Sequence, residues 1–155
     1  MWARLRRFSA LPGPARLLFL RTAVLLLLVS LSLRWRGFSK TRASLQKRLP
    51  KDGSAPPRAA PDSGQIEWTV RMVRAASRCA LFRVTCLQES LALWWLLARQ
   101  GLLCEVRVGV RTHADKFEAH AWVEHAGVAL NEPEALHAHY AAFDAALASV
   151  PLEPR

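Results

Sequence analysis

The sequence predicts an α+β fold, with a helix followed by antiparallel strands and a basic, apolar helix ahead of both. Three observations carry that expectation. Apolar residues recur at helical spacing between Thr85 and Gly101, and from Cys104 onward the hydrophobic period drops to two. The charge is also split: residues 1–48 hold eleven Lys/Arg and no Asp or Glu, whereas the rest holds eleven against twelve. The net charge of +10 is therefore a property of the N-terminal segment alone. At 155 residues and 52% hydrophobic content, the chain is long and apolar enough to bury a real core.

The first element is the run Leu17–Leu33, "LLFLRTAVLLLLVSLSL". Arg21 interrupts it, and its uncharged part, Thr22–Leu33, is short of the roughly 20 residues a membrane span needs. Basic residues flank it on both sides (Arg4, Arg6, Arg7 and Arg16 before; Arg34, Arg36, Lys40 and Arg42 after), so the positive-inside rule assigns no orientation. No small-residue cleavage site of the secretory type follows. The first expectation is a helix buried against protein. Membrane-surface contact through residues 16–48 and a true span or signal anchor are the competing readings. Nucleic acid is not expected, because no Arg/Lys-rich recognition helix or aromatic-basic interleaving accompanies the charge.

Residues 50–64, rich in Pro, Gly, Ala and Ser, have no hydrophobic period and are expected to be a linker. They divide a basic helical segment, 1–49, from a compact domain, 65–155. Within that domain Ile66, Val70, Val73 and Ala76 or Ser77 predict a helix over about 67–82. The next helix has the clearest signals. Leu87, Leu91, Trp94, Trp95 and Ala98 form an apolar face, Thr85 and Gln88 fit a capping box, and Gly101 supplies the stop. Cys86 then occupies the first helical position.

Alternation of Cys104, Val106, Val108 and Val110 with polar residues predicts a strand. A second strand, "FEAHAWVEH", is expected to turn Phe117, Ala119, Ala121 and Val123 one way and Glu118, His120, Trp122 and Glu124 the other. Ala126-Gly127 predicts a turn and "VAL" a short returning strand. The segment from Pro133 to Val150 reads as a helix ended by Pro151.

A thiol at a helix N-terminus faces unsatisfied backbone N–H groups and the positive end of the dipole, and both favour thiolate. The same N–H groups suit an oxyanion. His120 on the second strand is the candidate base, and Glu132 or Asn131 on the return can orient its ring. The candidate constellation is Cys86, His120, and Glu132 or Asn131. The competing reading of Cys86 is a small buried hydrophobe, which is also the reading for Cys79 and Cys104. Three cysteines without a secretory signal do not suggest a disulfide framework. His137 and His139 form H-x-H, but with His113 and His125 they make no recognisable zinc spacing. No metal and no cofactor is expected.

"TCLQESLALWWLLARQGLLCEVRVGVRT", followed by "FEAHAWVEHAGVALNE", resembles the lasso peptide biosynthesis B proteins, in particular the stand-alone transglutaminase-like peptidase of split systems. The resemblance runs from about Leu11-Pro12 to about Phe143. It implies a papain/transglutaminase-like cysteine protease core over 65–155 and a cytoplasmic enzyme that removes the leader from a lasso precursor peptide. It implies a Cys-His-Asp triad on Cys86 and His120, with Glu132 standing where the family has Asp and Asn131 beside it. It argues against a membrane span in the N-terminal helix. Its implied partners are the lasso precursor peptide, a small leader-recognition protein and an asparagine-synthetase-like lasso cyclase. Two alternatives stand beside peptide hydrolysis: a catalytically degenerate scaffold that binds the leader or the cyclase, and acyl transfer to an amine.

Overall fold

Among the described residues, three helices come first and a five-stranded antiparallel sheet follows. The structure is a computed structural model that describes residues 12–49, 61–113, 116–132, 140–142 and 148–149. The helices are α1 (Gly13–Gln46), α2 (Ser63–Cys79) and α3 (Cys86–Arg99). The strands are β1 (Glu105–His113), β2 (Lys116–His125), β3 (Val128–Ala129), β4 (Ala141–Ala142) and β5 (Ala148–Ser149). The fold is thus the expected mixture of helices and antiparallel sheet, with a long apolar helix at its N-terminal side.

Helix α3 is the centre of the molecule. Leu91, Ala92, Leu93, Trp94 and Leu97 are fully buried, and Leu96 nearly so. A helix apolar on all sides must be surrounded, so the single apolar face expected from the sequence understates its burial. Both of its ends are specified by sequence. Thr85 accepts a hydrogen bond from the Gln88 N–H, and the Gln88 side chain accepts one from the Thr85 N–H, a reciprocal capping box. At the other end Gly101 (φ 91°) lets Leu102 N–H reach Leu97 O and its own N–H reach Ala98 O, the paired bonds of a Schellman stop.

Helix α2 begins four residues earlier than the sequence suggested, because Asp62 caps it by accepting from Gln65 N–H at 2.7 Å. Residues 50–60 of the expected linker lie outside the described residues, and Ser63 and Gly64 already belong to α2. Helix α1 packs on the other two through Leu25, Leu26 and Val29, which join Val73, Leu91 and Leu93 in one core. It breaks at Gly37 (φ 74°, ψ 176°), a conformation essentially confined to glycine. The bend is sharp: Ser32 Oγ and Thr41 Oγ1 are 2.8 Å apart, whereas nine residues of straight helix rise roughly 13.5 Å. The returning part brings Leu45 O under Trp95, whose Nε1 donates to it at 3.1 Å. By length and composition α1 could cross a membrane.

The sheet order is β3-β2-β1-β4, and β5 pairs with β1 beside β4. β1 and β2 pair along their whole length, from Glu105 opposite Glu124 to His113 opposite Lys116. Trp94 Nε1 donates to Cys104 O at 3.1 Å and ties α3 to the start of β1. Two expectations are corrected here. Phe117 and Ala119 do not join a buried apolar face: Phe117 is 85% exposed and Ala119 is exposed too, because the buried part of β2 begins only at Ala121. The expected helix over 133–150 is replaced at Ala141–Ala142 and Ala148–Ser149 by strands paired with β1. They satisfy the edge that β1 would otherwise leave open. The rest of that segment, with Pro151, lies outside the described residues.

Candidate active site

Cys86 stands at the first position of α3, half-buried, where the chain leaves its cap. His120 lies in the middle of β2, opposite Gly109 of β1. Helix α3 runs across β2, and that crossing sets the thiol and the imidazole close enough for each to shift the pKa of the other. The hydrogen bond to His120 lowers the Cys86 pKa from its ordinary 9.0 against the cost of burial, and the Ala121 and Leu87 N–H groups lower it further. The complement holds at the histidine. Its hydrogen bond to Cys86 raises the pKa from 6.5 against desolvation, and the charge of Glu132 adds to the effect. Both shifts favour a thiolate–imidazolium pair.

Glu132 is the third member that the structure brings in. Its Oε1 lies 3.0 Å from His120 Nε2, and both side chains are 18% exposed. The oxygen sits off the N–H axis, so Nε2 has no well-aligned hydrogen bond and the contact acts mainly through charge. With Nε2 facing Glu132, Nδ1 is the nitrogen left for the thiol.

Asn131 sits elsewhere. Its Oδ1 accepts from Val123 N–H at 2.7 Å, and its Nδ2 donates to Ser90 Oγ at 3.4 Å. The main-chain ladder between β2 and β3 ends with Leu130 N–H on Val123 O, and the Asn131 amide takes the next donor in place of a strand carbonyl. This substitution lets the chain leave the sheet at residue 131 and turn Glu132 toward His120. Ser90 Oγ in turn donates to Ala121 O at 2.9 Å, and Arg74 of α2 donates to Asn131 O at 2.5 Å. Ser90 is one turn beyond Cys86 and Ala121 is next to His120. One buried polar network therefore sets the helix, the strand and the glutamate relative to one another.

Ser90, Arg74, Gly109 and Tyr140 are not among the site residues expected from the sequence. Tyr140, the only tyrosine in the chain, lies with its ring centroid 5.3 Å from that of His120 and 6.5 Å from that of Trp122. The Arg111 guanidinium lies over the Tyr140 ring, 4.7 Å from its centroid, and is itself held by Glu118 at 2.6 Å. Trp122 shares the His120 side of β2 as expected, yet it is 1% exposed. Gly109 makes room for this cover: a Cβ there would meet Tyr140 Cβ at 2.9 Å and Trp122 Cη2 at 3.0 Å. The single signal in the sequence was a glycine inside a strand, which marks a close approach.

The other thiols differ in kind. Cys104 is buried, and desolvation pushes its pKa up to about 12. Cys79 is exposed at the last residue of α2, away from any helix N-terminus. Among the described residues no group of three or more His, Cys, Asp or Glu could hold a metal ion. His137 and His139 lie outside the described residues.

A model of the transglutaminase-like superfamily matches residues 23–143, from within α1 to just past β4. No match was found among curated proteins or among solved structures.

Proposed function

We propose that this chain, which belongs to the transglutaminase-like superfamily, is a cysteine peptidase that cuts one peptide bond between the leader and the core of a lasso precursor peptide. The observation that carries the peptidase reading is the Cys86–His120 pair at a capped helix N-terminus, with Glu132 behind the imidazole. The lasso assignment rests on the two sequence blocks around Cys86 and His120.

In this reading the Cys86 thiolate attacks the scissile carbonyl carbon, and the Cys86 N–H helps hold the oxyanion. His120, protonated, gives its proton to the leaving amine as the C–N bond breaks and a thioester forms. Water then attacks the thioester while His120 takes a proton back. The leader leaves as a carboxylate and the thiol is restored. Glu132 stabilises the imidazolium through both steps. A small leader-recognition protein delivers the precursor, and an asparagine-synthetase-like cyclase closes the ring on the freed core amine. The proposed compartment is the cytoplasm.

The test incubates the full chain with precursor and recognition protein in ¹⁸O-water and reads the products by mass. One cut, with ¹⁸O in the new leader carboxylate, is the expected outcome. Cleavage that persists in Cys86→Ala sinks the proposal. An amine adduct in place of the ¹⁸O carboxylate would mean acyl transfer instead.

One observation favours a second reading, a non-catalytic scaffold that binds leader or cyclase. Glu132 reaches Nε2 off the N–H axis, as a longer side chain in the place of Asp would. A thiol-directed activity probe separates the two, since a scaffold would leave Cys86 unlabelled while still retaining its partner.

A further inference from the structure

Helix α1 has two apolar faces, and the core uses one. Thr22, Leu26 and Val29 are at most 1% exposed and point into the domain. On the opposite side Leu17, Leu20, Val24, Leu27, Leu28 and Leu31 are 38–57% exposed, and Trp35 is 78% exposed. At 3.6 residues per turn these seven fall within an arc of about 100°, in a stripe roughly 27 Å long. Arg21 borders the stripe on one edge and Arg34 on the other, both exposed. No acidic residue occurs anywhere in residues 1–48. A contiguous exposed apolar patch of this extent marks an interaction site.

We infer that this stripe seats the protein on the surface of an anionic lipid bilayer, with α1 lying in the plane of the headgroups. Charge complementarity selects that occupant. The flanking charges have one sign, and the stripe itself consists of Leu, Val and Trp side chains, with only the indole N–H of Trp35 able to hydrogen-bond. A protein interface of comparable size carries directed hydrogen bonds, about one per 100–200 Å². A headgroup layer requires only apolar insertion and positive charge. Trp35, at the end of the stripe, is suited to the interfacial level. A span is disfavoured by the inner face: Thr22, Leu26 and Val29 would have to leave the core that they share with α2 and α3. Three of the stripe residues, Leu20, Val24 and Leu28, also form one wall of a cavity of about 1060 Å³ whose other wall is Trp68, Trp95 and Arg99. A partner's helix in that groove is the rival occupant.

The test is co-sedimentation of the full chain with vesicles of phosphatidylcholine alone and of phosphatidylcholine mixed with phosphatidylglycerol. The expected result is pelleting with the anionic vesicles, weakened by added salt, and release by alkaline carbonate. Leu20→Gln with Leu31→Gln should reduce the bound fraction at least about tenfold without lowering the unfolding temperature, since both side chains are exposed. Arg21→Gln should cost about fivefold on anionic vesicles alone. Failure to pellet with either vesicle, or unchanged pelleting in the leucine variant, overturns the inference. Retention through carbonate overturns it in favour of a span. A complex, with a second copy or with another protein, that the leucine variant loses while vesicles go unbound overturns it in favour of the groove.

Discussion

The carboxylate of Glu132 stands 3.0 Å from His120 Nε2, while the side chain of the residue before it turns back into the sheet. Two adjacent residues thus divide the work that either one alone was a candidate for. Asn131 spends both ends of its amide on Val123 and Ser90. Glu132 is left with the imidazole.

Glu132→Gln should lower activity by roughly 10²-fold, because it removes the charge that steadies the imidazolium. The pH profile gives the sign. His120 is raised from 6.5 and Cys86 is lowered from 9.0, so the two shifts run toward each other and both favour a Cys86 thiolate beside a protonated His120. Without the carboxylate the His120 pKa falls, and the alkaline limb of kcat/KM should move to lower pH. A profile that keeps its position would detach Glu132 from the histidine.

Alkylation kinetics should separate the three thiols. Cys86 is expected to react fastest near neutral pH, since its pKa is lowered from 9.0 and more of it is thiolate there. Cys104, buried and with its pKa pushed up to about 12, should react only after unfolding. Peptide mapping after brief iodoacetamide treatment checks this, with exposed Cys79 as the internal comparison.

Asn131→Ala should destabilise the fold by about 1–3 kcal/mol, because Val123 N–H would be left buried without an acceptor. Its activity should fall further than Ser90→Ala lowers it, since the turn that aims Glu132 would slacken. Denaturant unfolding and kcat measured on the same preparations test both halves.

Gly109→Ala should cost about 1–3 kcal/mol through crowding. The added methyl would strike Tyr140 and Trp122 and come within 3.1 Å of Ala141 O, so β4 must shift. Because Gly109 pairs with His120, a loss of activity should accompany the loss of stability.

Ala126→Gly should stabilise by up to about 1 kcal/mol. Ala126 (φ 49°) and Gly127 (φ 80°) form a two-residue hairpin turn in which both positions are left-handed, and alanine is strained there. Thermal unfolding would show the gain.

Much of this architecture is legible in the sequence wherever local chemistry decides the outcome. Thr85, Gln88 and Gly101 bound α3 by capping alone, and strict alternation marks β1 and β2. What is illegible depends on distant partners. Ala141 and Ala148 carry no period of two, and become strands because β1 offers an unpaired edge. Phe117 alternates correctly and is still exposed, because the pattern cannot say where helix cover stops. At the site, Cys86 and His120 were visible as residue types at suggestive places. The choice between Asn131 and Glu132 depended on which of the two would fill a vacancy in the β2 ladder.

The bend at Gly37 has a consequence for the most apolar stretch of the chain. With any other residue there, the helical conformation would be favoured over the observed one, and α1 would tend toward a single rod of roughly 50 Å. Such a rod cannot return Leu45 to Trp95, and Leu45 would leave the core it shares with Leu25, Leu26 and Val29. One hydrogen atom in place of a side chain therefore helps commit a segment with the makings of a membrane anchor to a folded domain.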